Sequence, residues 1–119
     1  MKTIVILNEQ HSLMEEQKEL LLKRFKSFEV LSVPKDGWSL EEMKDIVNNL
    51  HIGAVNIEMK NIIFASPIPA LMKLISEEVS MESCNPSEWF VFHNSKREKK
   101  ELPNGKIVSV VASTGWELV

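Results

Sequence analysis

Asn8, Gln10, His11 and Ser12 stand close together, directly after an apolar run. Amide, imidazole and hydroxyl groups in one short stretch can hold a polar ligand. An imidazole can also move protons near neutral pH. Ser66 precedes Pro67, the pattern of a helix start whose free N–H groups attract anions. Asn94, Ser95, Lys96 and Arg97 follow a further apolar run. Their two cations can neutralise phosphate, the guanidinium bidentately. His11 is therefore the candidate for proton transfer, and Lys96 and Arg97 are the candidates for neutralising a phosphate. Asn8, Gln10, Ser12, Ser66, Asn94 and Ser95 are the ligand-binding candidates.

Each group also has an ordinary role. His11 suits a solvated loop and His93 a strand end. Ser66 suffices as a helix cap, and Lys96 and Arg97 suit a solvated hairpin. Cys84 has no histidine or metal partner in sequence. Trp38, Trp89 and Trp116 fit core or interface positions, and each could stack a base. No H-x-x-x-H spacing occurs, so no metal site is expected. Neither G-x-x-x-x-G-K-[ST] nor G-x-G-x-x-G occurs, which argues against a nucleoside triphosphatase or a dinucleotide enzyme. No cofactor is expected.

The elements that must position these groups alternate. Residues 3–7 read as a first strand and 8–12 as a loop. Ser12 and Glu15 have capping-box spacing. The following helix runs to about Phe25, with Leu13, Met14, Leu20, Leu21 and Phe25 on its apolar face. Residues 28–33 form a strand ended by Pro34. Ser39 and Glu42 make a second capping box, ahead of Leu40, Met43, Ile46, Val47 and Leu50 at helical spacing. Gly53 is a plausible stop, and 54–59 fits a strand better than a helix. Residues 61–65 read as a buried strand. A helix starting at Ser66-Pro67 carries Ile68, Leu71, Met72, Ile75 and Val79 as a stripe. Residues 80–88 read as a loop and 89–93 as a strand. Residues 98–102 and 106–111 flank Pro103-Asn104-Gly105, a hairpin signal. Residues 116–119 fit a last short strand. The expected class is α/β: a Rossmann-like, mostly parallel sheet with helices on both faces and a C-terminal antiparallel hairpin at its edge. Ligands of such sheets bind at the carboxyl ends of the strands, where all three candidate loops fall.

The chain has 119 residues, which suits one domain spanning 1–119 with an ordinary core. A net charge of −3 argues against a DNA-coating protein. The single cysteine points to a reducing, cytoplasmic setting. Residues 1–7 are too short for a signal core or a membrane span, so no membrane association is expected. Lys96, Arg97, Lys99, Lys100 and Lys106 outnumber Glu98 and Glu101 in one stretch, either a solvated hairpin or an anion-facing edge.

The segment Ile6-Leu7-Asn8-Glu9-Gln10-His11-Ser12-Leu13-Met14-Glu15-Glu16-Gln17 resembles the start of small stand-alone CRISPR-accessory proteins of the ring-nuclease group. Those open with an apolar strand, a His-containing turn and a helix beginning Leu-x-x-Glu-Gln. Phe92-His93-Asn94-Ser95-Lys96-Arg97-Glu98 and Leu102-Pro103-Asn104-Gly105-Lys106-Ile107-Val108 look similar to their last third. The resemblance implies a Rossmann-like homodimer that binds a cyclic oligoadenylate, with cyclic tetra-adenylate the first choice. It implies metal-independent cleavage, in which a ribose 2′-OH attacks the adjacent phosphate and leaves a cyclic phosphate. Lys96, Arg97 and the Ser66 helix start would stabilise charge, and His11 would transfer protons. Ser12, Ser66 and Ser95 would position the ligand. Two alternatives stand beside this reading: a non-catalytic sensor or sponge on the same fold, and a small interaction protein with no small ligand.

Overall fold

The computed structural model describes residues 2–50, 59–81 and 87–119. Gly53, residues 54–58 and Cys84 lie outside them. The described chain runs β1 (Lys2–Asn8), α1 (Glu15–Phe25), β2 (Glu29–Val33), α2 (Leu40–Leu50), β3 (Lys60–Phe64), α3 (Pro69–Met81), β4 (Glu88–His93), β5 (Arg97–Glu101), β6 (Ile107–Val111) and β7 (Glu117–Leu118).

Five strands form one sheet in the order β2-β1-β3-β4-β7. The first four are parallel, and each is joined to the next in sequence through a helix, the kind of crossover that parallel strands need. β1 and β3 lie inside the sheet, so both of their faces are covered. Val5, Ile6, Ile62, Ile63 and Phe64 are fully buried, which explains why these strands read as continuous apolar runs. Alternate residues face opposite layers. Ile4, Ile6, Ile62 and Phe64 pack against Met43, Val47 and Leu50 of α2 and Leu71 and Ile75 of α3. Val5, Ile63, Phe90 and Phe92 pack against Leu13 and Leu21, beneath α1. Helices thus cover both faces, and the fold is the Rossmann-like α/β arrangement that the alternation predicts.

Five local expectations are corrected. The hairpin does not extend the main sheet. β5 and β6 pair only with each other, among the described residues, in a separate two-stranded sheet. The antiparallel edge is β7 instead, on the free side of β4; Val119, the residue after β7, exchanges two 3.0 Å backbone hydrogen bonds with Val91. The Ser12–Glu15 capping box does not form. Leu13 is drawn into the core, Met14 is extended (φ −76°, ψ 156°), and its N–H donates to Gln17 Oε1 at 2.9 Å, so α1 starts at Glu15. Met14 itself is exposed rather than part of the apolar face.

The helix start expected at Ser66-Pro67 lies at Pro69. Pro69 disfavours helical geometry at Ile68, and the first helical bond runs from Met72 N–H to the Ile68 carbonyl at 2.9 Å. α3 also continues through Met81, into the expected 80–88 loop. The second capping box forms as its spacing predicts. Ser39 N–H donates to Glu42 Oε1 and Glu42 N–H to Ser39 Oγ, both at 3.1 Å.

Candidate functional site at the strand-order reversal

The chain leaves β1 to one side for β2 and returns past it to β3 on the other side. The loops after β1 and β3 therefore separate at the reversal point, where an open parallel sheet leaves a crevice. Their backbones are pinned together at its base. Ala65 and Ser66 N–H groups donate to the Ile6 carbonyl at 2.9 and 3.0 Å, and Asn8 N–H donates to Ser66 Oγ at 2.9 Å. Ser66 is 8% exposed. Its hydroxyl accepts this bond and donates none among the described residues, which leaves one donor for a ligand.

Asn8 also shapes the loop that carries His11. Its Oδ1 accepts from Gln10 N–H at 2.9 Å and its carbonyl from His11 N–H at 2.9 Å. An asparagine side chain that mimics a turn in this way fixes a short loop without glycine. Glu9 ties the same loop to the segment after β2. Glu9 N–H donates to the Val33 carbonyl at 2.8 Å, and Glu9 Oε1 accepts from Lys35 N–H at 2.9 Å.

Two grooves flank this turn. The first, about 490 Å³, is lined by Asn8, His11, Lys35, Trp38, Ser66 and Pro67, among others. The second, about 550 Å³, is lined by Gln10, His11, Ser12, Met14, Val111 and Trp116, among others. His11 borders both, and each has one tryptophan. Trp116 is held from α1: Glu16 Oε1 accepts from Gly115 N–H at 2.8 Å and Trp116 N–H at 2.7 Å. Its ring meets Phe92 edge-on at 6.0 Å, and its buried Nε1 has no hydrogen-bond partner among the described residues.

Asn8, Gln10, His11, Ser12 and Ser66 are thus gathered at one rim. Asn94, Ser95, Lys96 and Arg97 line neither groove. Asn94 is 7% exposed and staples the hairpin base. Its Nδ2 donates to the Ala112 and Thr114 carbonyls at 3.1 and 2.9 Å, and its Oδ1 accepts from Lys96 N–H at 2.9 Å. Arg97 Nη1 donates to the Asn94 and Lys96 carbonyls, both at 2.9 Å. The stem of Lys96 lies over Gly115, so close that a Cβ there would sit 2.7 Å from Lys96 Cδ. Ser95 is exposed.

Sequence reasoning missed Lys35 as a groove residue, and read Trp38 as a core or interface anchor that could also stack a base without placing it at this rim. A signal existed for both, because the carboxyl end of β2 reaches the same rim as those of β1 and β3. Val111 carried no local signal. Among the described residues, no three His, Cys, Asp or Glu side chains gather as a metal site. No described helix is long and apolar enough to cross a membrane. No family model, curated protein or solved structure matches this chain.

Proposed function

We propose that the chain binds a cyclic oligoadenylate across the strand-order reversal and cleaves it without a metal ion. One observation carries the reading: two adjoining grooves share His11, and each offers a tryptophan. Two neighbouring nucleotides can set one base in each groove, on Trp38 and Trp116, with the linking phosphodiester beside His11. Base stacking on an aromatic ring is worth about 1–3 kcal/mol per base. Ser66 Oγ and the Lys35 ammonium supply a donor and a cation on one side, and Gln10 and Ser12 supply polar contacts on the other.

In the reaction, His11 accepts the proton of a ribose 2′-OH. The 2′ oxygen bonds to phosphorus, and the phosphorus–O5′ bond breaks. The leaving 5′ oxygen takes up a proton. The products are a free 5′-OH and a 2′,3′-cyclic phosphate, with no change in total mass. General acid–base catalysis of this kind supplies roughly a hundredfold to ten-thousandfold in rate.

The test is incubation with cyclic tri-, tetra- and hexa-adenylate in EDTA, read by retention time and mass. The expected result is a linear isomer of unchanged mass, or, after a second cut, two fragments whose masses sum to that of the ring, at a rate reduced at least tenfold in His11→Ala. A raised Tm without product refutes cleavage and supports the sponge reading, which the absence of Lys96 and Arg97 from both groove linings favours. Neither product nor a Tm change refutes both.

A further inference from the structure

The β5–β6 hairpin stands apart from the body of the fold. Among the described residues neither strand pairs with the main sheet, and every residue of β5 is exposed. An isolated two-stranded hairpin is marginal in water. The Cα radius of gyration, 16.1 Å, exceeds the roughly 13–14 Å of a compact chain of this length.

The two outer edges of the hairpin differ. β5 carries Arg97, Glu98, Lys99, Lys100 and Glu101, and such charges, lysine above all, are how edge strands avoid pairing. β6 is Ile107-Val108-Ser109-Val110-Val111, with no charge and no proline. Ile107 is 66% exposed and Val111 39%.

The ladder shows which peptide groups β6 leaves open. Ala112 N–H donates to the Lys96 carbonyl and Leu102 N–H to the Lys106 carbonyl. With the register Arg97↔Val111 to Glu101↔Ile107, hydrogen-bonded pairs alternate. Val108 and Val110 therefore face β5, and the peptide groups of Ile107, Ser109 and Val111 face outward.

We infer that the β6 edge pairs antiparallel with the β6 edge of a second copy, about a two-fold axis at Ser109. In that register Ile107 lies opposite Val111 of the second copy, Val108 opposite Val110, and Ser109 opposite itself. Every aliphatic side chain meets another, and the outward peptide groups meet in hydrogen-bonded pairs. The same strand patch serves both copies, as a two-fold interface requires. The four-stranded sheet that results ends on the charged β5 edges, so association stops at a dimer. Pairing through β5 would match Arg97 with Glu101 but set Lys99 against Lys99, and exposed ion pairs contribute little. The β6 pairing also brings Ile107 of the second copy beside Val111, on the wall of the second groove. The interface does not depend on what the grooves bind.

The test is sedimentation equilibrium of the wild type and of Ser109→Pro. The Ser109 N–H faces away from β5, so proline there leaves the β5–β6 ladder intact while removing an outward donor. The wild type is expected at twice the 13.6 kDa chain mass and S109P at the chain mass. A monomeric wild type, or a dimeric S109P, overturns the inference. A second measurement does not depend on a disruptive variant. In a Cys84→Ser background, Ser109→Cys is expected to form an oxidised dimer at least tenfold faster than Lys99→Cys. Equal rates, or faster crosslinking at 99, overturn it.

Discussion

Removing the Glu16 carboxylate should release the C-terminal segment that carries Trp116. One oxygen of this part-buried side chain accepts both the Gly115 and Trp116 N–H groups, at 2.8 and 2.7 Å. Such bonds to an ionised acceptor contribute about 1.5–3 kcal/mol each when measured singly. They share one oxygen, and both donors reach water once the segment opens, so the two together should hold the segment by about 2–3 kcal/mol. Glu16→Ala should therefore raise amide exchange at Gly115 and Trp116 roughly 30- to 150-fold, at 1.4 kcal/mol per tenfold. Glu16→Gln keeps a neutral acceptor and should lose about half that free energy. The assay is native-state hydrogen exchange by NMR, with urea unfolding as a check on global stability. Unchanged exchange at both amides in Glu16→Ala refutes the reasoning. Equal effects of alanine and glutamine show that the charge is irrelevant and refute it in part.

Gly115 has φ +90°, and a Cβ there would meet Lys96 Cδ at 2.7 Å and Asn94 Oδ1 at 3.2 Å. Gly115→Ala should cost about 1–3 kcal/mol in urea unfolding, and a change below 0.5 kcal/mol would count against the close approach. At the start of α2, Ser39→Ala should cost about 1 kcal/mol. Because Ser39 and Glu42 cap each other, adding Glu42→Ala should cost less than the sum of the single changes, as a double-mutant cycle would show. Strict additivity would mean the two bonds act separately.

Much of the fold was legible because its signals are local. The continuous apolar run at β3, the reciprocal cap at Ser39 and Glu42, and the Asn104-Gly105 turn each depend on residues a few positions apart. Gly105, at φ +84°, supplies the left-handed position that the turn between β5 and β6 needs. Two local signals misled. Ser12 has capping spacing, yet burial of Leu13 outweighs a single cap bond. Pro67 resembles a first helical residue, yet Pro69 two positions later disfavours at Ile68 the helical geometry such a start requires.

The candidate site divides along the same line. The sequence by itself determined that Asn8, Gln10, His11, Ser12 and Ser66 follow strands, and parallel strands put their carboxyl ends at one rim. Only the tertiary structure decided the rest. Glu16 and Trp116 lie 100 positions apart, and no short-range pattern foretells that one seats the other beside His11. Asn94 and Arg97 have the chemistry of a phosphate site, but the Asn94 amide and Arg97 Nη1 are engaged at the hairpin base. Residue type and spacing state what a side chain can do. Which partner it meets depends on strand order and loop packing, which many weak, distant contacts decide together.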